Sequence, residues 1–217
     1  MHRRQFHACL VGLAATTTLP AALAQANLPA ALAQANLREG TDYRRLSKPA
    51  PVDTGPGQVE VLEFFAYSCI HCYRFEPLMT EWMRKLPKEV VVRRVPVGFN
   101  AAFEPMQRLY YTLEAMGRLG DLHEKAFKAV HEERERFNSL DAVAAWAAKQ
   151  GLDRQTFTQT YQSFGVSGKV KRALQLQDAY EVDATPSLGI AGRFLVPGQA
   201  ARTLVVADAL IARVRQA

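Results

Sequence analysis

Two rhythms of apolar residues alternate along this chain. A run rich in β-branched and aromatic side chains at 59–65 (Val-Glu-Val-Leu-Glu-Phe-Phe) predicts a buried strand. From Cys69 to Leu86 the period becomes helical, with Ile70, Tyr73, Leu78, Trp82 and Leu86 on one spacing and Pro77 predicting a kink. A second β-rich run fills 90–97, so strand, helix and strand form a βαβ unit whose strands should be parallel. The middle predicts helices over 103–116, 121–136, 140–150, 154–164 and 167–180. Gly117, Gly120, Asn138-Ser139, Gly151 and Gly165 break them, and Ser139 and Asp153 serve as N-caps. Short strands at 187–190 and 193–196 flank an Ala191-Gly192 turn, and a helix over 200–214 follows. The stretch 38–57, with Pro49, Pro51, Pro56, Gly55 and Gly57, predicts an extended lead-in with at most one short strand.

Composition fits one sizeable core: 217 residues, 48% of them hydrophobic. The N-terminus is read apart from this core. Arg3 and Arg4 precede an apolar run at 8–23 and then small residues, the layout of a secretory signal; the run is short for a spanning helix and holds Thr and Pro, and an uncleaved membrane anchor is the competing reading. The segment Leu-Pro-Ala-Ala-Leu-Ala-Gln-Ala-Asn at 19–27 recurs letter for letter at 28–36, which duplicates every Ala-x-Ala cleavage option. We read residues 1–26 as the signal, with the cut anywhere between 24 and 35. Formal net charge is +6, and +4 once Arg3 and Arg4 are removed. The basic residues are scattered without interleaved aromatics, which argues against nucleic-acid binding. The charged run Glu132-Glu133-Arg134-Glu135-Arg136 reads as a solvated helix surface.

Of the three cysteines, Cys9 falls in the signal, leaving only Cys69 and Cys72 in the pair Cys69-Ile70-His71-Cys72. One such pair has little structural use, and export favours disulfide chemistry. At the start of a helix, Cys69 meets unpaired N–H groups and the positive end of the dipole, both of which favour a thiolate. Cys72, one turn on, is placed to attack a mixed disulfide on Cys69 and release the substrate. A Cys69 of lowered pKa leaves more readily and stabilises the reduced form, making the pair more oxidising. The His71 imidazolium or ring N–H adds to that stabilisation, unless the ring merely lies on an exposed first turn. A structural zinc half-site of Cys69, His71 and Cys72 is the competing use, but zinc sites usually need a second cluster, and once the signal with His2 and His7 is removed only His123 and His131 remain.

The segment 61–76, Val-Leu-Glu-Phe-Phe-Ala-Tyr-Ser-Cys-Ile-His-Cys-Tyr-Arg-Phe-Glu, resembles the active-site segment of DsbA-type thiol:disulfide oxidoreductases. The helical block followed by Thr185-Pro186 is similar to that family's layout, and the likeness runs from about residue 40 to the C-terminus. It implies an α/β protein, a thioredoxin-like fold with an inserted all-helical domain. The thioredoxin-like parts would be 37–100 and 182–217 and the insert 101–181. It implies a periplasmic oxidase with Cys69 as nucleophile, Cys72 as resolving thiol and Pro186 as a cis-proline in the substrate-facing loop. No metal and no cofactor beyond the Cys69–Cys72 disulfide are implied. The partners would be unfolded or newly exported cysteine-containing proteins and a membrane quinone-linked reoxidant of DsbB type, and the protein would act as a monomer. In this family an acid on the strand behind the motif accepts a proton from the buried thiol. Glu63 holds that position, unless it is an ordinary exposed strand residue. Two departures bear on redox strength: Ile70 stands where many members have Pro, and Thr185 where the best-known have Val. A reductase or isomerase of the same fold, or a redox-inactive zinc- or peptide-binding module, are the competing readings.

Overall fold

Strand β2 (Val59–Phe65) is buried at all seven positions, which only a strand covered on both faces allows. In this computed structural model, which describes residues 37–216, β2 is an inner strand of a five-stranded sheet ordered β1-β5-β4-β2-β3. The signal sequence, the duplicated segment and Cys9 lie outside the described residues. Strand β3 (Val90–Pro96) runs parallel to β2, as the βαβ pattern predicts, with helix α1 (Ile70–Lys85) as the crossover. Strands β4 (Ser187–Ile190) and β5 (Phe194–Pro197) form an antiparallel hairpin on the other side of β2, and β1 (Arg44–Arg45) completes the edge.

Between β3 and β4 come α2 (Glu104–Ala115), α3 (Leu119–His131), α4 (Leu140–Lys149), α5 (Arg154–Tyr161) and α6 (Phe164–Ala179), and α7 (Ala201–Arg215) follows the hairpin. The pleat of β2 divides the core. Val59 and Val61 pack with Phe75, Met79 and Trp82 of α1 and Leu204, Ala207 and Leu210 of α7. Leu62 and Phe64 face the other way, into a cluster with Leu109, Leu113, Phe127, Ala173 and Tyr180 of the helical block. The result is a thioredoxin-like sheet with a set of helices inserted before its last hairpin.

Two helix boundaries differ from the sequence expectation, and Gly120, expected as a break, lies inside α3. Helix α3 stops at His131 rather than at 136. Arg134 takes φ 60°, and the N–H of Glu135 turns back to the carbonyl of Ala129 at 2.8 Å. Five consecutive charged residues offer no apolar side chain to hold a further turn on the core, while buried Phe137 draws the chain inward. The 132–136 run is therefore a loop, not a helix surface. The break between α5 and α6 falls at Ser163, whose Oγ accepts the N–H of Val166, and Gly165 lies inside α6. An N-capping hydroxyl outweighs a glycine as the boundary signal here. Ser139 and Asp153 cap α4 and α5 as expected. Helix α1 continues through Pro77, which leaves the Tyr73 carbonyl without an i+4 donor. Gly192, at φ 65°, is required by space as well as by conformation: a Cβ there would stand 2.3 Å from the Ala50 carbonyl oxygen.

Candidate active site

Cys69 is the N-cap of α1, the point where the chain leaves β2 through Ala66-Tyr67-Ser68. Its own N–H donates to the Ala66 carbonyl at 3.0 Å, and its carbonyl accepts from Tyr73 N–H at 3.1 Å, so the helix start holds the residue from both sides. The sulfur takes the role a serine or aspartate oxygen usually plays at this position, accepting the N–H of Cys72 at 3.3 Å. The two cysteines differ sharply in access: Cys69 is half-buried and Cys72 is 1% exposed.

This asymmetry sets their acidities. The Cys69 thiol is lowered to about 5, chiefly because the Cys72 thiol donates to it. Burial opposes that effect, while the Thr185 hydroxyl and the backbone N–H groups of Cys72 and His71 add to it. Thr185 also presents its carbonyl 3.4 Å from Cys69 Sγ, a contact that suits the thiol rather than the thiolate; the donors outnumber it. Burial drives Cys72 the other way, far above the ordinary thiol range, and the hydrogen bond it gives to Cys69 raises it further.

The remaining motif residues fall close to the pair. Ile70 opens α1 with an exposed side chain. His71 is exposed, as the alternative of an exposed first turn has it, and its backbone N–H is among the groups that lower the Cys69 pKa. His71 also lines a groove of about 460 Å³, with Arg74, Phe75 and Leu78 on one wall and Thr185 and Pro186 on the other. The Thr185–Pro186 peptide bond is cis and Pro186 is buried. Gly198 allows the end of β5 to pack on this loop, since a Cβ there would meet the Pro186 carbonyl at 2.6 Å.

Glu63 is 1% exposed, which removes the reading of an ordinary surface position. Strand register places it opposite Arg94, whose Nε donates to Glu63 Oε2 at 2.9 Å and whose Nη2 donates to Glu76 Oε1 at 2.5 Å. Burial pushes the Glu63 carboxyl well above the carboxylate range, with Arg94 opposing and Glu76 adding to the shift. Burial also acts to raise Glu76, but His123, with Nε2 3.4 Å from Glu76 Oε2, and the Arg94 charge outweigh it and leave the pKa lowered. Neither Glu63 nor Glu76 is hydrogen-bonded to a cysteine among the described residues. Sequence reasoning missed Glu76, Arg94 and His123. The available signal was charge in apolar company: Arg94 inside a strand, and Glu76 one turn beyond Cys72 on the inward face of α1.

One pH dependence follows directly. The folded-state pKa of Cys69 is depressed, so its contribution to the stability of the reduced protein is complete above the unfolded thiol's pKa near 9 and is lost as pH falls through about 5. At pH 7 we expect on the order of 1–2 kcal/mol after allowance for solvent screening at a half-exposed sulfur. The disulfide form has no thiolate to stabilise. Thermal unfolding of both forms between pH 4 and 8 should show the reduced form gaining on the oxidised one as pH rises. Parallel curves would exclude this account.

A thioredoxin-like sheet that delivers such a dithiol at the start of its crossover helix defines a thiol:disulfide oxidoreductase. Comparison with known proteins narrows the class. Residues 60–208 match the model of the DSBA-like thioredoxin domain. The chain is 43% identical over 205 residues to the thiol:disulfide interchange protein DsbA of Bordetella parapertussis, covering 92% of this chain and 97% of that one. It is 37% identical over 182 residues to the DsbA of Pseudomonas aeruginosa, covering 82% and 86%. The crystal structure of Pseudomonas aeruginosa DsbA superimposes with a TM-score of 0.80 at 35% identity, over 84% of this chain and 96% of that one. The chain belongs to the DsbA-like thioredoxin family, and its activity is thiol:disulfide interchange.

Proposed function

We propose that the protein works as a dithiol oxidase, donating a Cys69–Cys72 disulfide, its only redox group, to cysteine pairs in newly exported polypeptides in the periplasm. A substrate thiolate attacks Cys69 Sγ, the Cys69–Cys72 bond breaks, and the departing Cys72 sulfur takes up a proton, as its raised pKa requires. A second substrate thiolate then attacks the substrate sulfur of the mixed disulfide and expels Cys69 as a thiolate. The substrate gains a disulfide, and the protein is left with two more electrons and one more proton. A membrane quinone-linked protein of DsbB type would take the electrons back. The Thr185–Pro186 loop and the groove beside it provide the surface against which an extended, monomer-bound substrate would lie, and residues 101–181 act as a unit above the sheet.

The observation that carries this reading is the split between the two thiols: the accessible sulfur is the good leaving group, and the buried one is held protonated. A stabilised Cys69 thiolate favours the reduced protein and hence the oxidising direction, which counts against a reductase. Among the described residues no cluster of three or more His, Cys, Asp or Glu side chains is placed to hold a metal, which counts against the zinc module. Equilibration with glutathione over a range of ratios is the test. The pair should stay reduced until the buffer is strongly oxidising, and the oxidised protein should convert a reduced two-cysteine peptide to its disulfide. A pair that remains oxidised in reducing glutathione would reverse the assigned direction.

A further inference from the structure

Tyr67, two residues before Cys69, is held at both ends by histidines from one helix of the inserted block. Its hydroxyl lies 2.8 Å from His123 Nδ1, and its backbone carbonyl lies 2.8 Å from His131 Nε2. Each contact has a determinate direction. Burial raises the Tyr67 hydroxyl well above its usual pKa, so it keeps its proton and donates to His123 Nδ1. That leaves the proton of the neutral imidazole on Nε2, which faces Glu76 Oε2 at 3.4 Å. A carbonyl can only accept, so His131 donates from Nε2.

Neither histidine is free to wander. His123 is 5% exposed and packs edge-on against Phe65 and Phe127. His131 stacks on Tyr73 of α1, with ring centroids 5.2 Å apart and planes 8° from parallel. The tyrosine hydroxyl of that stacked pair donates to Glu132, just past the end of α3. Helix α3 thus grips the nucleophile's segment at Tyr67 and the nucleophile's helix at Tyr73 and Glu76.

We propose that His123 and His131 are positioning residues for the exchange reaction, holding Tyr67 by its two ends and so fixing the Ala66–Cys69 segment from which the nucleophilic sulfur projects. The physical reason is geometric tolerance. The thiolate is stabilised by the Cys72 N–H, 3.3 Å from the sulfur, and by the Thr185 hydroxyl across the groove, and both weaken if Cys69 shifts by a fraction of an ångström. Sheet bonds from β2 end at Phe65, and the backbone bonds beyond it, from Cys69 to Ala66 and from Tyr73 to Cys69, are local; the inserted helices tie the segment to the rest of the fold. The inserted block then has a part in the chemistry: it sets how well the sheet's own sulfur is activated.

This inference rests on Cys69 being the nucleophile, and the experiment separates the two. The parent protein's oxidation of a reduced peptide tests the nucleophile reading alone. For the clamp, His131→Leu should raise the midpoint of the Cys69 thiolate titration, followed by ultraviolet absorbance, by about one pH unit, about tenfold in the glutathione equilibrium. His131→Gln, which keeps an N–H donor, should recover most of that shift. Tyr67→Phe and His123→Leu should each move the titration, and the double variant should move it no further than the larger single effect. Tyr67→Phe and His131→Gln change few atoms and report even where a leucine variant folds poorly. A titration unchanged in folded His131→Leu, or additive effects of Tyr67→Phe and His123→Leu, would overturn the proposal while leaving the oxidase reading intact.

Discussion

Replacing Cys72 with alanine is expected to stop turnover at the mixed disulfide. Preparations should accumulate covalent adducts on Cys69 that a small reducing thiol releases, whereas Cys69→Ala should form none and lose peptide oxidation entirely. The reason is access and leaving-group strength acting together. An incoming sulfur reaches half-buried Cys69 and not Cys72, which is 1% exposed. Once an adduct forms, the intramolecular route back to the disulfide runs only through Cys72, one helical turn away with its N–H already on Cys69 Sγ. Mass spectrometry of each variant after incubation with a mixed-disulfide reagent gives the readout. Adducts on Cys72 in the Cys69→Ala protein would sink the assignment of the two sulfurs.

Arg94→Met is expected to cost about 3–5 kcal/mol of unfolding free energy, the usual loss when one partner of a buried ion pair is removed. Among the described residues Arg94 is the only cation hydrogen-bonded to the two buried carboxyl groups, Glu63 and Glu76. Without it their folded-state pKa values rise, so the loss should be largest at neutral pH and shrink as pH falls and the carboxyls take up protons. Glu63→Gln in the same protein should restore part of the loss, because a neutral amide removes the cost of protonating or burying that carboxyl. Denaturant titrations at pH 4.5 and 7.5 measure this, and a loss below about 1 kcal/mol at neutral pH would show that the cluster is solvated.

Much of the architecture was legible along the chain because its signals are local. The β-rich runs at 59–65 and 90–97, the helical spacing after Cys69 and the capping residues Ser139 and Asp153 each announce an element within a few residues. Where local signals compete, the reading slips, as at Gly165 against Ser163 and in the charged run after His131. The cysteine pair and Thr185-Pro186 were visible as motifs. The network behind them was not, since Glu63, Glu76, Arg94 and His123 come from four elements and meet only through strand register and helix packing. His71 shows the other limit: its backbone N–H adds to the lowering of the Cys69 pKa, a contribution that no side-chain motif reveals.

The order of strands has a kinetic meaning. Strand β2 meets β3 after a single crossover, but its other neighbour, β4, arrives only after the whole helical block has passed. Closing so long a loop adds little to the equilibrium cost, since each doubling of length costs only about 0.6 kcal/mol. It does slow assembly, because distant pairings form late. By that rule the helices, built on near-neighbour contacts, are expected to form before the hairpin of β4 and β5 docks and brings Thr185 to the site. Until that docking, Cys69 lacks one of the donors that lower its pKa, so a half-folded chain carries a duller thiol. The acidity of Cys69 thus depends on a contact between residues 116 positions apart in the chain.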